Sequence, residues 1–198
     1  MTPDDVRRRF ETSAEIYRAL ARDLAGKVHE VGMALAACLR AGGTIYLFGN
    51  GGSAADSQHI AAELVGRYLA DRPALPAVAL TTDTSKLTAI ANDYGYEEVF
   101  ARQLAAFVRP ADAAIGISTS GRSKNVVKAL ALARERGALT VALTGADPAD
   151  CAAHARFVLA VPSKETPRIQ ESHIAIGHAL CEIVELDLAP RGAGLAGD

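Results

Sequence analysis

The chain has 198 residues, of which 49% are hydrophobic and 22% charged, with a formal net charge of −2. That is enough chain for a sizeable core, and the charge gives no bulk electrostatic case for nucleic acid or an acidic membrane as partner. The charged N-terminus lacks the apolar stretch of a signal peptide and no apolar run reaches the ~18 residues of a membrane span, so a cytoplasmic location is expected.

Residues 3 to about 40 carry Val6, Phe10, Ile16, Leu20, Leu24, Val28, Val31 and Leu35 at helical spacing, and "AGGT" (41–44) then stops the helix. Short β-branched, apolar runs follow at 44–49, 77–82, 113–118, 140–145 and 157–161. Helical stretches separate them at about 53–70, 84–107, 123–136 and 148–154, and a last one runs from about 167 to 188. Near-continuous apolar strands alternating with helices predict an α/β fold, a parallel sheet covered on both faces. The expected organisation is one domain over 1–190, with a helical segment (1–41), a sheet core (42–190) and a disordered tail (191–198). About 40 residues of patterned helix ahead of the first strand exceed what a small sheet needs for cover, so a homo-oligomer is expected. Cys38, Cys151 and Cys181 are widely spaced, odd in number and set among alanine and leucine. They read as small buried side chains rather than a disulfide framework or nucleophiles.

In such a sheet, ligands bind outside the carboxyl ends of the strands, where strand order reverses. Two strand ends carry anion-binding chemistry. "GNGGS" (49–53) has small residues, Asn50, Gly51, Gly52 and Ser53 among them, that let backbone N–H groups approach a ligand where a helix begins. "STSGRS" (118–123) offers the hydroxyls of Ser118, Thr119, Ser120 and Ser123 around a flexible Gly121. Four hydroxyls at a strand-to-helix turn suit a phosphate monoester, where a cap alone would need one. The first turn also reads G-x-G-x-x-A, but Asp83 lies 34 positions after Gly49, too far for the usual ribose-binding acid about 20 residues on. No nucleotide cofactor is expected.

His59 and Glu63 stand at i and i+4 on the helix leaving the first turn, hence on one face. Gln170 and His178, at i and i+8 on the last helix, are about 80° apart around its axis. Singly, each has an ordinary reading as a surface contact or a core histidine. Together, two imidazoles, a carboxylate and an amide oxygen make a four-ligand site for zinc or a similar divalent ion, though an amide is an unusual zinc ligand.

"GNGGSAADSQHIAAEL", "AIANDYGYEEVFARQL", "GISTSGRSKNVV" and "PRIQESHIAIGH" resemble, in order, the signature segments of phosphoheptose isomerases, members of the sugar isomerase (SIS) domain family. The resemblance covers nearly the whole chain. It implies a three-layer SIS domain, a five-stranded parallel sheet flanked by helices, in a homotetramer whose N-terminal helices serve oligomerisation. The implied reaction is aldose–ketose isomerisation of sedoheptulose 7-phosphate to D-glycero-D-manno-heptose 7-phosphate, the entry to nucleotide-activated heptoses for bacterial surface polysaccharide. By the same resemblance Asn50, Gly51, Gly52, Asn92, Asp93, Ser118, Thr119, Ser120, Ser123 and Gln170 hold the substrate, and Ser53 and Glu63 are grouped with them. Glu63 and His178 move the protons, and His59, Glu63, Gln170 and His178 bind zinc. Glu63 cannot be at once a tight metal ligand and an unhindered base, so the division of proton transfer stays open. The alternative is a non-catalytic module of the same fold that binds the bacterial replication initiator. Such proteins keep the glycine loop and the RIQE segment but lose the acid and the last histidine, both present here as Glu63 and His178.

Overall fold

The computed structural model describes residues 1–188. The N-terminal segment is two helices, α1 (Pro3–Asp23) and α2 (Ala25–Arg40). Thr2 and Asp5 form a capping box at the start of α1, with Pro3 in its first turn. The single helix expected over 3–40 instead breaks at Leu24, whose φ of −119° departs from helical values beside the poor helix former Gly26.

Five strands follow: β1 (Ile45–Gly49), β2 (Ala77–Ala79), β3 (Ala113–Ser118), β4 (Leu139–Thr144) and β5 (Phe157–Ala160). All pair in parallel in the order β2-β1-β3-β4-β5. The chain therefore reverses direction across the sheet between β1 and β3, and their carboxyl ends lie side by side, with Gly49 opposite Ile117. Crossovers are α3 (Gly52–Val65) between β1 and β2, α4 (Thr84–Tyr94) and α5 (Ala101–Phe107) before β3, α6 (Lys124–Glu135) before β4, and α7 (Ala149–Ala152) before β5. The last helix is α8 (Thr166–Leu188).

Each strand feeds two cores because successive side chains point to opposite faces. On β1, Ile45 and Leu47 pack with Val31, Leu35, Ile60, Leu180 and Val184 of α2, α3 and α8, while Phe48 packs with Phe100, Leu104, Val126 and Leu130 of the opposite layer. All five β1 residues are buried, which is why its sequence runs apolar without alternation. The helix expected over 84–107 is split at Gly95, whose φ of +92° no continuing helix tolerates, and residues 96–98 make a 3-10 turn. The helix expected to reach 70 stops at Val65, followed by Gly66, and the strand expected over 77–82 ends at Ala79. The tail over 191–198 and the last two residues of the expected domain lie outside the described residues. Among the described residues no helix is long and apolar enough to cross a membrane.

Candidate active site at the sheet's switch point

Because β1 and β3 are neighbours at the reversal, the turns that follow them face one crevice. Gly49 packs so tightly that a Cβ there would sit 2.7 Å from Ser53 Cβ and 2.9 Å from the Ile117 carbonyl oxygen. Gly51, at φ +56°, is the N-cap of α3 and offers no side chain to its orphan N–H groups. Among the described residues, the Gly51 and Gly52 N–H groups have no hydrogen-bond partner, and both glycines are exposed. A Cβ on Gly52 would collide with the amide of Gln170, which places that α8 side chain against the glycine loop. Ser53 is buried.

The Asn50 amide is engaged by Asn125 of α6: Asn50 Nδ2 donates to Asn125 Oδ1 and Asn125 Nδ2 donates back to Asn50 Oδ1, both at 2.9 Å. The Tyr96 hydroxyl donates to the same Asn50 oxygen at 3.3 Å. Asn125 thus joins the two loops, a link that no spacing in the sequence announced.

In the second loop Gly121 takes φ +67° and donates its N–H to the Ser118 carbonyl, closing a turn. Ser123 occupies the N-cap position of α6, but its hydroxyl makes no cap and instead meets the Ser118 hydroxyl at 3.0 Å. The capping explanation for Ser123 therefore does not hold. Thr119 and Ser120 line a cleft of about 260 Å³ with Arg122, Ser163, Lys164 and Thr166. The cleft offers hydroxyls and two cationic side chains, chemistry suited to an anion. Arg122 pairs at 2.5 Å with Asp147, whose carboxyl it holds below the ordinary range.

Some twelve ångströms along α8 from Gln170, by about 1.5 Å of rise per residue, His178 meets the face of α3. His59 Nε2 lies 2.9 Å from His178 Nε2 and 3.3 Å from Glu63 Oε1. The donor atoms of His59, Glu63 and His178 all fall within 4.8 Å of one another, so one chain brings all three together. Ligands about 2.0–2.1 Å from a tetrahedral zinc would be separated by roughly 3.3 Å, so the cluster fits such an ion. The Tyr68 ring packs on the His178 ring at 5.6 Å between centroids. Asp56, a turn before His59, is half-buried with an oxygen that has no partner among the described residues, and burial pushes its carboxyl up against the opposing pull of His59. Nothing in the sequence set it apart from a solvated helix acid.

Asn92 and Asp93 sit at the exposed end of α4, where the Asn92 amide donates to Asp93 at 2.8 Å. No hydrogen bond ties them to the other candidate residues among those described. His173 is a core histidine: it is fully buried, its Nε2 donates to the Thr144 carbonyl at 3.0 Å, and burial lowers its pKa to about 4. The three cysteines are free thiols, and burial raises Cys151 to about 11 and Cys181 to about 12, which rules both out as ready nucleophiles.

Residues 10–145 match the SIS domain family. The phosphoheptose isomerase of Aquifex aeolicus is 52% identical over 182 residues, 92% of this chain and 95% of that protein. The solved phosphoheptose isomerase from Neisseria gonorrhoeae superposes with a TM-score of 0.87 at 42% identity, covering 92% of this chain and 98% of that one. The one from Francisella tularensis superposes at 0.90 with 34% identity, covering 94% of this chain and 100% of that one. Relatives named as isomerases lend no support to the initiator-binding alternative. The chain belongs to the SIS domain family and, within it, to the phosphoheptose isomerases.

Proposed function

We propose that the chain isomerises sedoheptulose 7-phosphate to D-glycero-D-manno-heptose 7-phosphate, with Glu63 and His178 as the groups that move protons. The observation that carries this reading is the meeting of those two side chains, borne on the same two helices, α3 and α8, that touch through Gly52 and Gln170 at the switch point. The phosphate docks in the Ser118–Ser123 turn, where hydroxyls and the N–H groups opening α6 face its oxygens. Asn50, Gly51, Gly52 and Gln170 hold the sugar chain, and Asn92 and Asp93 flank it from α4.

The reaction carries one proton from C1 to C2 and one from O1 to O2 through an enediol. Glu63, 23% exposed, takes the C1 proton and returns it to C2, while His178 passes the hydroxyl proton between the two oxygens. The Gly51 and Gly52 N–H groups, without a partner among the described residues, are left to donate to a substrate oxygen. His59, Glu63 and His178 would hold a zinc ion, which when bound would supply Lewis-acid stabilisation of a substrate oxygen. Gln170, the fourth ligand expected, lies about twelve ångströms along α8 from His178, against the glycine loop.

The reading includes a cytoplasmic homotetramer. Val6, Phe10 and Tyr17 expose 41%, 71% and 41% of their surface on one side of α1, an apolar face that a neighbouring subunit would cover. A stable monomer in light scattering at micromolar concentration would contradict the assembly. The activity itself is tested by following sedoheptulose 7-phosphate with the purified chain, before and after metal removal. Interconversion to the aldose is expected, and an enzyme inert under both conditions would sink the reading.

A further inference from the structure

Seven residues beyond His178 on α8, Glu185 is buried together with Arg72 from the loop after α3; their side chains are 2% and 3% exposed. Arg72 Nε donates to Glu185 Oε2 at 2.8 Å. The same carboxylate accepts the N–H groups of Tyr68 at 3.0 Å and of Leu69 and Ala70 at 2.7 Å. Burial alone would raise its pKa, but those N–H groups and Arg72 outweigh it and hold Glu185 below its ordinary value. The far end of the guanidinium reaches back to α3: Nη2 donates to the Glu63 carbonyl and Nη1 to the Leu64 carbonyl, each at 2.9 Å. These are among the last carbonyls of a helix, which no intrahelical N–H satisfies.

One ion pair therefore grips the backbone of Glu63 and the backbone of Tyr68, whose ring packs on His178. An ion pair this deeply buried is costly to desolvate, and apolar side chains of equal volume often stabilise a fold as well or better. Apolar replacements could fill the space but could not bind five backbone groups at once. We propose that Arg72 and Glu185 are positioning residues of the isomerase: they set the spacing of α3 and α8 at which Glu63 and His178 meet. This rests on the reading of Glu63 and His178 as the proton-moving pair.

Two variants separate positioning from mere support. Arg72→Lys keeps a charge beside Glu185 but loses the planar fork that reaches two carbonyls. The double variant Arg72→Met with Glu185→Met removes both charges, so neither is left buried alone. Each is expected to melt cooperatively with its kcat for sedoheptulose 7-phosphate reduced at least ~10-fold, since a misplacement near 1 Å costs up to about 100-fold. KM should stay within about threefold, because the hydroxyl loop that holds the phosphate is untouched. Glu63→Gln is assayed in parallel. Wild-type turnover in Glu63→Gln removes the reading on which the proposal stands. An inactive Glu63→Gln beside a folded Arg72→Lys of wild-type kcat overturns the positioning role alone. Should neither Arg72 variant fold, Glu185→Gln decides, since it keeps the side-chain shape but removes the charge that holds Arg72 and the Tyr68, Leu69 and Ala70 N–H groups: reduced kcat at little-changed KM is expected, and unchanged kcat overturns the proposal.

Discussion

His59 Nε2 and His178 Nε2 lie 2.9 Å apart although 119 residues separate them in the chain. Gly177 permits this approach, because a Cβ at that position would stand 2.8 Å from Ile60 Cγ1 on α3. The neighbours Ile60 and Gly177 thus form the packing contact, and His59 and His178 form the chemical one.

Gly177→Val should push α8 away from α3. Overpacking of this kind costs about 1–3 kcal/mol, so the melting temperature should fall while the sheet persists. The sharper effect is expected in function, as a kcat loss larger than the loss of stability explains. A variant that melts lower yet turns over at the wild-type rate would show that the contact does not govern the cluster.

Ser118 and Ser120 test the phosphate loop. On the proposed docking the exposed Ser120 hydroxyl donates one hydrogen bond to a charged oxygen, worth about 1.5–3 kcal/mol, so Ser120→Ala should raise KM by roughly 10-fold or more with little change in kcat. Inorganic phosphate should compete more weakly with the variant than with wild type. Unchanged KM in Ser118→Ala, Ser120→Ala and Ser123→Ala alike would move the phosphate elsewhere.

His173 predicts an acid-sensitive fold. Its folded pKa, about 4, lies below the ordinary histidine value of 6.5 because burial disfavours the cation. The unfolded chain therefore binds the extra proton first, and stability should decline as pH falls from about 6.5 towards 4, with no contribution from this residue above 6.5. Urea midpoints of metal-free protein across this range read the effect. His173→Gln should flatten the profile, and an unaltered slope in that variant would assign the sensitivity to other groups.

Much of this was legible in the sequence. The five strands and the two glycine-containing turns that follow β1 and β3 are visible because β-branched runs and glycine clusters are local signals, set by backbone preference. His59 and Glu63 share a face by periodicity alone. Their meeting with His178 is a tertiary fact carried by Gly177 and Ile60, which look like any glycine and isoleucine in a helix. The break at Leu24 escaped because a long apolar period continues through it, and the split at Gly95 because one glycine in a helical pattern is ordinarily tolerated. Arg72, Glu185 and Asn125 were invisible for a related reason. A buried polar residue is distinguished from a solvated one only by what surrounds it.

The cluster of His59, Glu63 and His178 allows a test of metal binding. Zinc that binds only the folded chain should raise the melting temperature in proportion to the logarithm of its excess over the dissociation constant. Imidazole ligates only when neutral, so the shift should weaken in acid. His59→Ala should lose both the metal, by elemental analysis, and the thermal shift, while keeping the fold, since His59 is half-exposed at 48%. A thermal shift undiminished in His59→Ala would place the ion at other ligands.

The account turns on Glu63 as the base that moves a carbon-bound proton, and isomerisation in deuterium oxide reads that step directly. Wild type should convert sedoheptulose 7-phosphate to an aldose phosphate carrying solvent deuterium at C2, in the fraction of turnovers in which the proton held by Glu63 exchanges with solvent before C2 is protonated. Glu63→Gln, which keeps the shape and removes the base, should lose at least ~100-fold in turnover and in exchange of the C1 hydrogens, while substrate still protects it from thermal unfolding. Glu63→Gln that exchanges and isomerises at the wild-type rate would contradict the account.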